Sequence, residues 1–280
     1  MKQSDKAHAF KRLHEQPGTF VIPNPWDAGS AKLLENLGFK ALATTSAGLA
    51  FALGRPDGAD AVSRDETLAN AAAIVAATSL PVSADLEGGF GDAPEACAET
   101  IRLAGSVGLV GGSIEDATSR EDDPIYEIGR AAARVEAAAE AARSLGYPFM
   151  LTGRAENYLH GRTDLADTIA RLQAYQAAGA DVLYAPGLRN LDDIATVVRN
   201  VDRPVNVLMG LTGVKLTVDD LARAGVRRIS VGGAFARAAY GGFLKAAREV
   251  RDTGSFDFND VATPFAELND LFSTGGKRHD

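Results

Sequence analysis

A single cysteine in 280 residues rules out an internal disulfide framework, and Cys97, set in Pro94-Glu95-Ala96-Cys97-Ala98-Glu99, reads as a small residue of a helix. No stretch approaches the roughly 20 apolar residues a membrane helix needs, and the start, Met1-Lys2-Gln3-Ser4-Asp5-Lys6, has no apolar core of a secretory signal. Basic residues are in deficit. With 29 Lys and Arg against 37 Asp and Glu, the net charge of -8 argues against nucleic acid as the default partner, because phosphate binding wants a basic face. The four histidines, His8, His14, His160 and His279, are scattered without zinc spacing such as His-Glu-x-x-His. There is no Gly-x-Ser-x-Gly elbow, so Ser-His-Asp catalysis has no support. These absences point to a cytoplasmic, reduced, globular protein with neither a nucleic-acid nor a membrane partner.

What is present is an alternation. Short apolar runs at 20–23, 40–45, 81–85, 109–115, 148–153, 181–185, 204–208 and 227–231 read as strands. Helical patterns follow at 28–36, 64–78, 94–106, a long stretch ending at 144, 164–178, 191–199, 218–224 and 234–251, with a further polar helix over 4–15. The segment 46–60 reads as a long loop, 252–260 as a linker and 264–272 as an additional terminal helix. Strands alternating with helices argue a parallel sheet covered by helices, and eight units in this length match an α/β (β/α)8 TIM barrel better than an open sheet. The expected organisation is one domain over 1–280, with the barrel at about 20–251 and a C-terminal extension at about 252–280.

The stretch Pro81-Val82-Ser83-Ala84-Asp85-Leu86-Glu87-Gly88-Gly89-Phe90-Gly91-Asp92 turns a strand end into a candidate site. Residues two apart on an extended segment share a side, so Asp85 and Glu87 can converge on one hard cation, while the glycines allow close backbone approach. An ordinary strand-to-loop transition with solvated acids fits the same residues. In a barrel the carboxyl ends of strands face the active site, which adds Thr44-Thr45-Ser46, the loop residue Asp57, Glu115 and Asp116, and Arg154 and Glu156. Such acids suit Mg2+, with Mn2+ as the alternative, because Mg2+ takes oxygen ligands and needs only one or two direct carboxylates. Arg154 suits a substrate carboxylate or phosphonate by bidentate pairing. The backbone amides of Ser46, Gly48 and Leu49 could hold a second anionic group. His160, near a strand end, fits either an exposed loop histidine or a proton-transfer role, and Gly232-Gly233 fits either a phosphate cradle or close helix packing.

Thr45-Ser46-Ala47-Gly48-Leu49, Asp57, Asp85-Leu86-Glu87-Gly88-Gly89-Phe90-Gly91, Ser113-Ile114-Glu115-Asp116, Gly153-Arg154-Ala155-Glu156 and Ala178-Gly179-Ala180-Asp181 together resemble the isocitrate lyase/phosphoenolpyruvate mutase superfamily. The resemblance runs in the same order over about 20–251. In that superfamily an Asp-x-Asp-x-Gly-Tyr-Gly segment holds Mg2+; Glu87 and Phe90 are the substitutions here. The resemblance implies Asp85 as the direct metal ligand, with Asp57, Glu87 and Glu115 acting directly or through waters. It implies Ser46, Gly48, Leu49 and Arg154 as contacts for the substrate's anionic groups, and a 2-oxo acid whose enolate is stabilised by the metal.

The departures narrow the chemistry. Isocitrate and 2-methylisocitrate lyases carry a Lys-Lys-Cys-Gly-His loop after strand four, and the phosphonate branch places Lys directly after Glu-Asp with an Asn beyond it. This chain has Ala117-Thr118-Ser119-Arg120-Glu121-Asp122-Asp123-Pro124, with neither set. The proton donor is therefore open among Ser119, Arg120, Glu121 and Tyr158, with Glu115 and Arg154 beside them as catalytic candidates. The leading expectation is a Mg2+-dependent carbon-carbon lyase or decarboxylase acting on a small 2-oxo or 2-hydroxy di- or tricarboxylate, of 2-methylisocitrate lyase or oxaloacetate decarboxylase kind. A phosphonopyruvate-type enzyme acting on a carbon-phosphorus bond, and a silent 2-oxo acid binding protein, are the alternatives. The resemblance also implies a homo-oligomer, dimer or tetramer, in which the eighth helix is swapped between barrels.

Overall fold

The computed structural model describes residues 1–58, 61–118 and 120–273. Eight parallel strands form a single sheet: β1 (Phe20–Ile22), β2 (Leu42–Ala43), β3 (Val82–Asp85), β4 (Gly111–Glu115), β5 (Met150–Arg154), β6 (Val182–Tyr184), β7 (Val205–Leu208) and β8 (Arg228–Ser230). They lie in the order β1, β8, β7, β6, β5, β4, β3, β2. The two ends of that order meet. Ala43 N donates to Pro23 O at 3.1 Å and Asn24 Nδ2 to Thr44 O at 2.9 Å, which brings β2 back to β1 and makes the sheet a nearly closed (β/α)8 barrel.

The strands are short and buried on both faces, as parallel strands under helices must be. Around them run α1 (Gln3–Glu15), α2 (Ala28–Asn36), α3 (Ser46–Ala52), α4 (Arg64–Ala77), α5 (Pro94–Ser106), α6 (Ile128–Arg143), α7 (Leu165–Ala177), α8 (Leu191–Arg199), α9 (Val218–Arg223), α10 (Ala234–Thr253) and α11 (Phe265–Ser273). The main core lies between barrel and helices, with Leu42, Val82, Leu151 and Leu183 facing Ile74, Ile101, Val135 and Leu172. A second cluster, Phe10, Ile22, Val110, Met150 and Val182, shows α1 closing the amino-terminal end of the barrel.

Two expectations need correction. The segment 46–60 is not all loop: Thr45 caps the helix α3, its hydroxyl accepting from Gly48 N at 3.3 Å. The 252–260 linker contains a short 3-10 turn, Asp257–Asp260, and α10 runs on to Thr253 before Gly254 ends it in a left-handed conformation.

α10 stands apart from the barrel. Among its 20 residues only Ala236 is buried, while Phe243 and Leu244 are 67% and 45% exposed. Its main contact within the chain is α3, and the side of the barrel by α2 is covered by α11, where Asn36 Nδ2 donates to Leu271 O at 2.8 Å. No helix among the described residues is long and apolar enough to cross a membrane.

Candidate active site

The carboxyl ends of the strands open into a cavity of about 1050 Å3, lined by Ser46, Asp57, Glu87, Glu115, Arg154 and His160 among others. Side-chain alternation decides which strand-end residues reach it. On β4, Glu115 points into the mouth, whereas the next residue, Asp116, turns out towards α7. There the 2% exposed Asp116 accepts from Arg171 Nη1 at 3.0 Å, from the Tyr175 hydroxyl and from Glu156 N at 2.7 Å. Asp116 belongs to the framework.

Arg154, at the end of β5, is the centre of the mouth. Its Nη1 lies 3.3 Å from Asp85 Oδ1 and 3.1 Å from Glu115 Oε2, and its Nε donates to Glu156 Oε1. The guanidinium sits over the Tyr184 ring, 5.2 Å from its centroid. Asp85 is held from the other side. Ser46 Oγ donates to Asp85 Oδ2 at 3.0 Å, Ser46 N to the same oxygen at 3.3 Å, and Asp85 N donates to Thr44 Oγ1 at 3.0 Å.

Acids outnumber the cation, and their titration shows it. Burial, only partly offset by Arg154, pushes the Glu115 carboxyl well above its ordinary range, and Glu156 and Asp85 beside it push in the same direction. Glu156 is raised by burial. Asp57 is raised by burial and by the charge of Asp85. Burial alone would lower Arg154, but Glu115, Glu156 and Asp85 outweigh it and hold the guanidinium firmly protonated. Asp57, Glu115 and Glu156 are therefore all biased towards their neutral forms around a charged Arg154. Among the described residues no three His, Cys, Asp or Glu side chains enclose a metal position; Asp85 and Glu115 share Arg154, while Asp57 and Glu87 face the same cavity.

The expected anion contacts divide. Ser46 lines the cavity, but Gly48 and Leu49 lie on the buried side of α3. Gly48 N is directed at Thr45 Oγ1 and Leu49 N donates to Thr45 O at 3.1 Å, so their amides serve the helix rather than the cavity. Gly48 is required by contact: a Cβ there would meet Thr45 Cγ2 at 2.6 Å and Trp26 Cβ at 2.7 Å. Of the proton-donor candidates, Ser119 lies outside the described residues, as does His279. Arg120 is bound to Asp92 and Asp123, each at 3.2 Å. Tyr158 lies outside the cavity lining and packs close to Gly187, while the exposed His160 stands at the cavity edge. Tyr184 went unread in the sequence, although its place at the end of β6 is the signal that singled out Arg154.

An acid-rich mouth around one arginine, at the carboxyl end of a (β/α)8 barrel, is the architecture of an enzyme site. The family model described as Phosphoenolpyruvate phosphomutase matches residues 10–251, and the chain belongs to that family, within the PEP mutase/isocitrate lyase superfamily of lyases and mutases. A solved structure from Burkholderia cenocepacia J2315, provisionally described as a lyase/mutase, is 59% identical over 99% of both chains, with a TM-score of 0.96. The 2-methylisocitrate lyase of Shewanella oneidensis is 29% identical over 260 residues, 88% of this chain and 85% of the relative. The structure of an oxaloacetate acetylhydrolase in complex with the product oxalate is 26% identical over 97% of this chain and 95% of that one, with a TM-score of 0.87.

Proposed function

We propose that the protein is a Mg2+-dependent carbon-carbon lyase or decarboxylase acting on a small 2-oxo or 2-hydroxy di- or tricarboxylate. The observation that carries the reading is Arg154 among Asp85, Glu115 and Glu156 at the barrel mouth. A planar guanidinium there can exchange a protein carboxylate for a substrate carboxylate while keeping its paired geometry. Two of the relatives, 2-methylisocitrate lyase and oxaloacetate acetylhydrolase, have names that specify small carboxylic acids as substrates.

The donor set fits Mg2+. It consists of carboxylate oxygens gathered around one arginine, and Mg2+ takes oxygen ligands with only one or two direct carboxylates. Asp85 is the direct ligand in this reading, with Asp57, Glu87 and Glu115 contributing directly or through water. Bound there, the ion would supply Lewis-acid stabilisation of charge developing on the substrate's 2-oxo oxygen. The chain's own residues do the rest. Arg154 orients the substrate carboxylate, Ser46 Oγ steers Asp85, and Glu115, its carboxyl raised, can hold a proton at Oε2 in the mouth. The phosphonopyruvate reading is the alternative favoured by the family model's description, but 117–124 lacks the Lys and Asn expected of it.

The partner in this reading is a small anionic acid in the cytoplasm, and the assembly is a homo-oligomer in which α10 covers a neighbouring barrel. Oxalate, a minimal two-carboxylate ligand, tests the site: it should raise the Tm in Mg2+, lose that effect in EDTA and lose it in Asp85→Asn. A shift that survives both changes would place anion binding elsewhere.

A further inference from the structure

The glycine-rich turn after Glu87 is wrapped around a side chain from a distant helix. Arg134, on α6, is 1% exposed. Its Nη1 donates to Gly91 O at 2.6 Å and to Asp92 O at 2.7 Å, and its Nη2 donates to Gly88 O. The guanidinium is sandwiched against the Tyr126 ring, 4.4 Å from its centroid. Among the described residues no carboxylate forms an ion pair with it, and Nε has no partner. The Asp92 carboxylate is instead occupied by Arg120 and the Tyr126 hydroxyl. A buried cation that directs its donors to three carbonyls of one loop is holding that loop.

The loop needs holding. Glu87 and Phe90 have φ of 47° and 58°, in the left-handed region that side chains other than glycine avoid, and Gly89 between them has 76°. At Gly89 a Cβ would meet Cys97 Sγ at 2.8 Å, so the turn is also pressed against α5. Neighbouring carbonyls repel one another unless donors stand among them, and the two terminal nitrogens of the guanidinium, held apart on a rigid plane, reach Gly91 and Asp92 from one and Gly88 from the other, a spacing that one compact ammonium lacks. The turn's shape then passes to the site. Glu87 N faces Asp85 Oδ1 at 3.4 Å and Glu87 O accepts from Glu115 N at 3.0 Å, so the turn fixes the peptide linking two acids of the mouth to a third.

We propose that Arg134 is a positioning residue for the metal-binding end of β3, setting the direction of Glu87 and Asp85 by clamping the Gly88–Asp92 carbonyls. The metal part of this inference rests on the Mg2+ reading above; the clamp itself does not. The test compares wild type with Arg134→Lys, and with Arg134→Met should the lysine restore the contacts. Calorimetric titration of Mg2+ without substrate is run beside amide hydrogen exchange. The expected result is a Mg2+ Kd raised about 10-fold or more, with faster exchange confined to 87–92 while the barrel strands keep wild-type protection. Unchanged exchange at 87–92, or acceleration spread evenly over the molecule, overturns the clamp. Should wild type bind no Mg2+, the metal reading fails, and the exchange pattern still decides for or against Arg134.

Discussion

Two adjacent acids at the end of β4 have opposite duties, and the difference is one of direction. Glu115 faces the mouth, where burial and neighbouring acids favour its neutral form; Asp116 faces α7, where Arg171, Tyr175 and a backbone amide all donate to it. A carboxyl raised on folding contributes stability below its unfolded value, and that contribution is lost as pH rises through the folded value. Above the ordinary carboxylate range, where the unfolded chain has already lost this proton, Glu115 therefore works against folding. Glu115→Gln should keep or raise the Tm while abolishing turnover, the exchange of stability for function expected at an active site. Asp116→Asn should lower stability by about 1–3 kcal/mol, because it takes the buried carboxylate from Arg171 Nη1 and the Tyr175 hydroxyl and leaves Arg171 with Asp167 alone, 2.8 Å from its Nε. Urea denaturation of both variants checks the pair; equal losses would remove the distinction. Alternation along a strand makes this difference legible in sequence once the strand's end is known. Arg134 was not legible, because nothing local marks a helix residue 46 positions from the carbonyl it binds.

At the scale of elements, α1 is the stopper of the barrel's amino-terminal end, and His14 is one of its polar contacts, beside Gln3 and Lys6. His14 Nδ1 bonds to Phe10 O at 2.9 Å, which leaves Nε2, 3.4 Å from Arg228 Nη1, to accept from the guanidinium. Burial and then the Arg228 charge lower His14 to about 3. The unfolded chain takes up this proton near pH 6.5, so stability present above 6.5 is lost progressively as pH falls towards 3. His14→Gln keeps an acceptor without the titration, and should remove up to one proton, about 1.4 kcal/mol per pH unit, from the slope of stability between pH 6 and 4. Denaturant titrations across that range would show it, and an unchanged slope would mean that His14 is not buried neutral. Most helices were visible from periodicity and caps. α3 was not, since its seven residues include a glycine and fall short of a convincing helical pattern. Thr45 stands at its N-cap, and the Gly48 and Leu49 amides of the first turn are therefore consumed by the Thr45 hydroxyl and carbonyl.

For the whole molecule, the alternation of eight short apolar strands with helices carried the barrel, because parallel strands under helices are buried on both faces and eight such units in this length fit a closed barrel better than an open sheet. The position of the mouth followed from the same rule. Assembly did not, since it depends on a surface and not on a pattern within the chain. α10 leaves Phe243 and Leu244 exposed on a helix that touches the barrel chiefly through α3. If α10 covers a neighbouring barrel, Phe243→Glu with Leu244→Glu should shift the protein towards monomer in sedimentation velocity. A wild type that sediments as a monomer would contradict the swap.

Mg2+-dependent cleavage of a carbon-carbon bond in a small carboxylic acid, the activity proposed for this site, is tested by turnover. Oxaloacetate, 2-methylisocitrate, isocitrate and phosphonopyruvate are each supplied with Mg2+, and pyruvate, glyoxylate, oxalate and phosphate are followed, with EDTA as the control. EDTA-sensitive release of pyruvate, glyoxylate or oxalate is expected from one of the first three, and none from Arg154→Lys. Phosphate released from phosphonopyruvate alone, or turnover indifferent to EDTA, would contradict it.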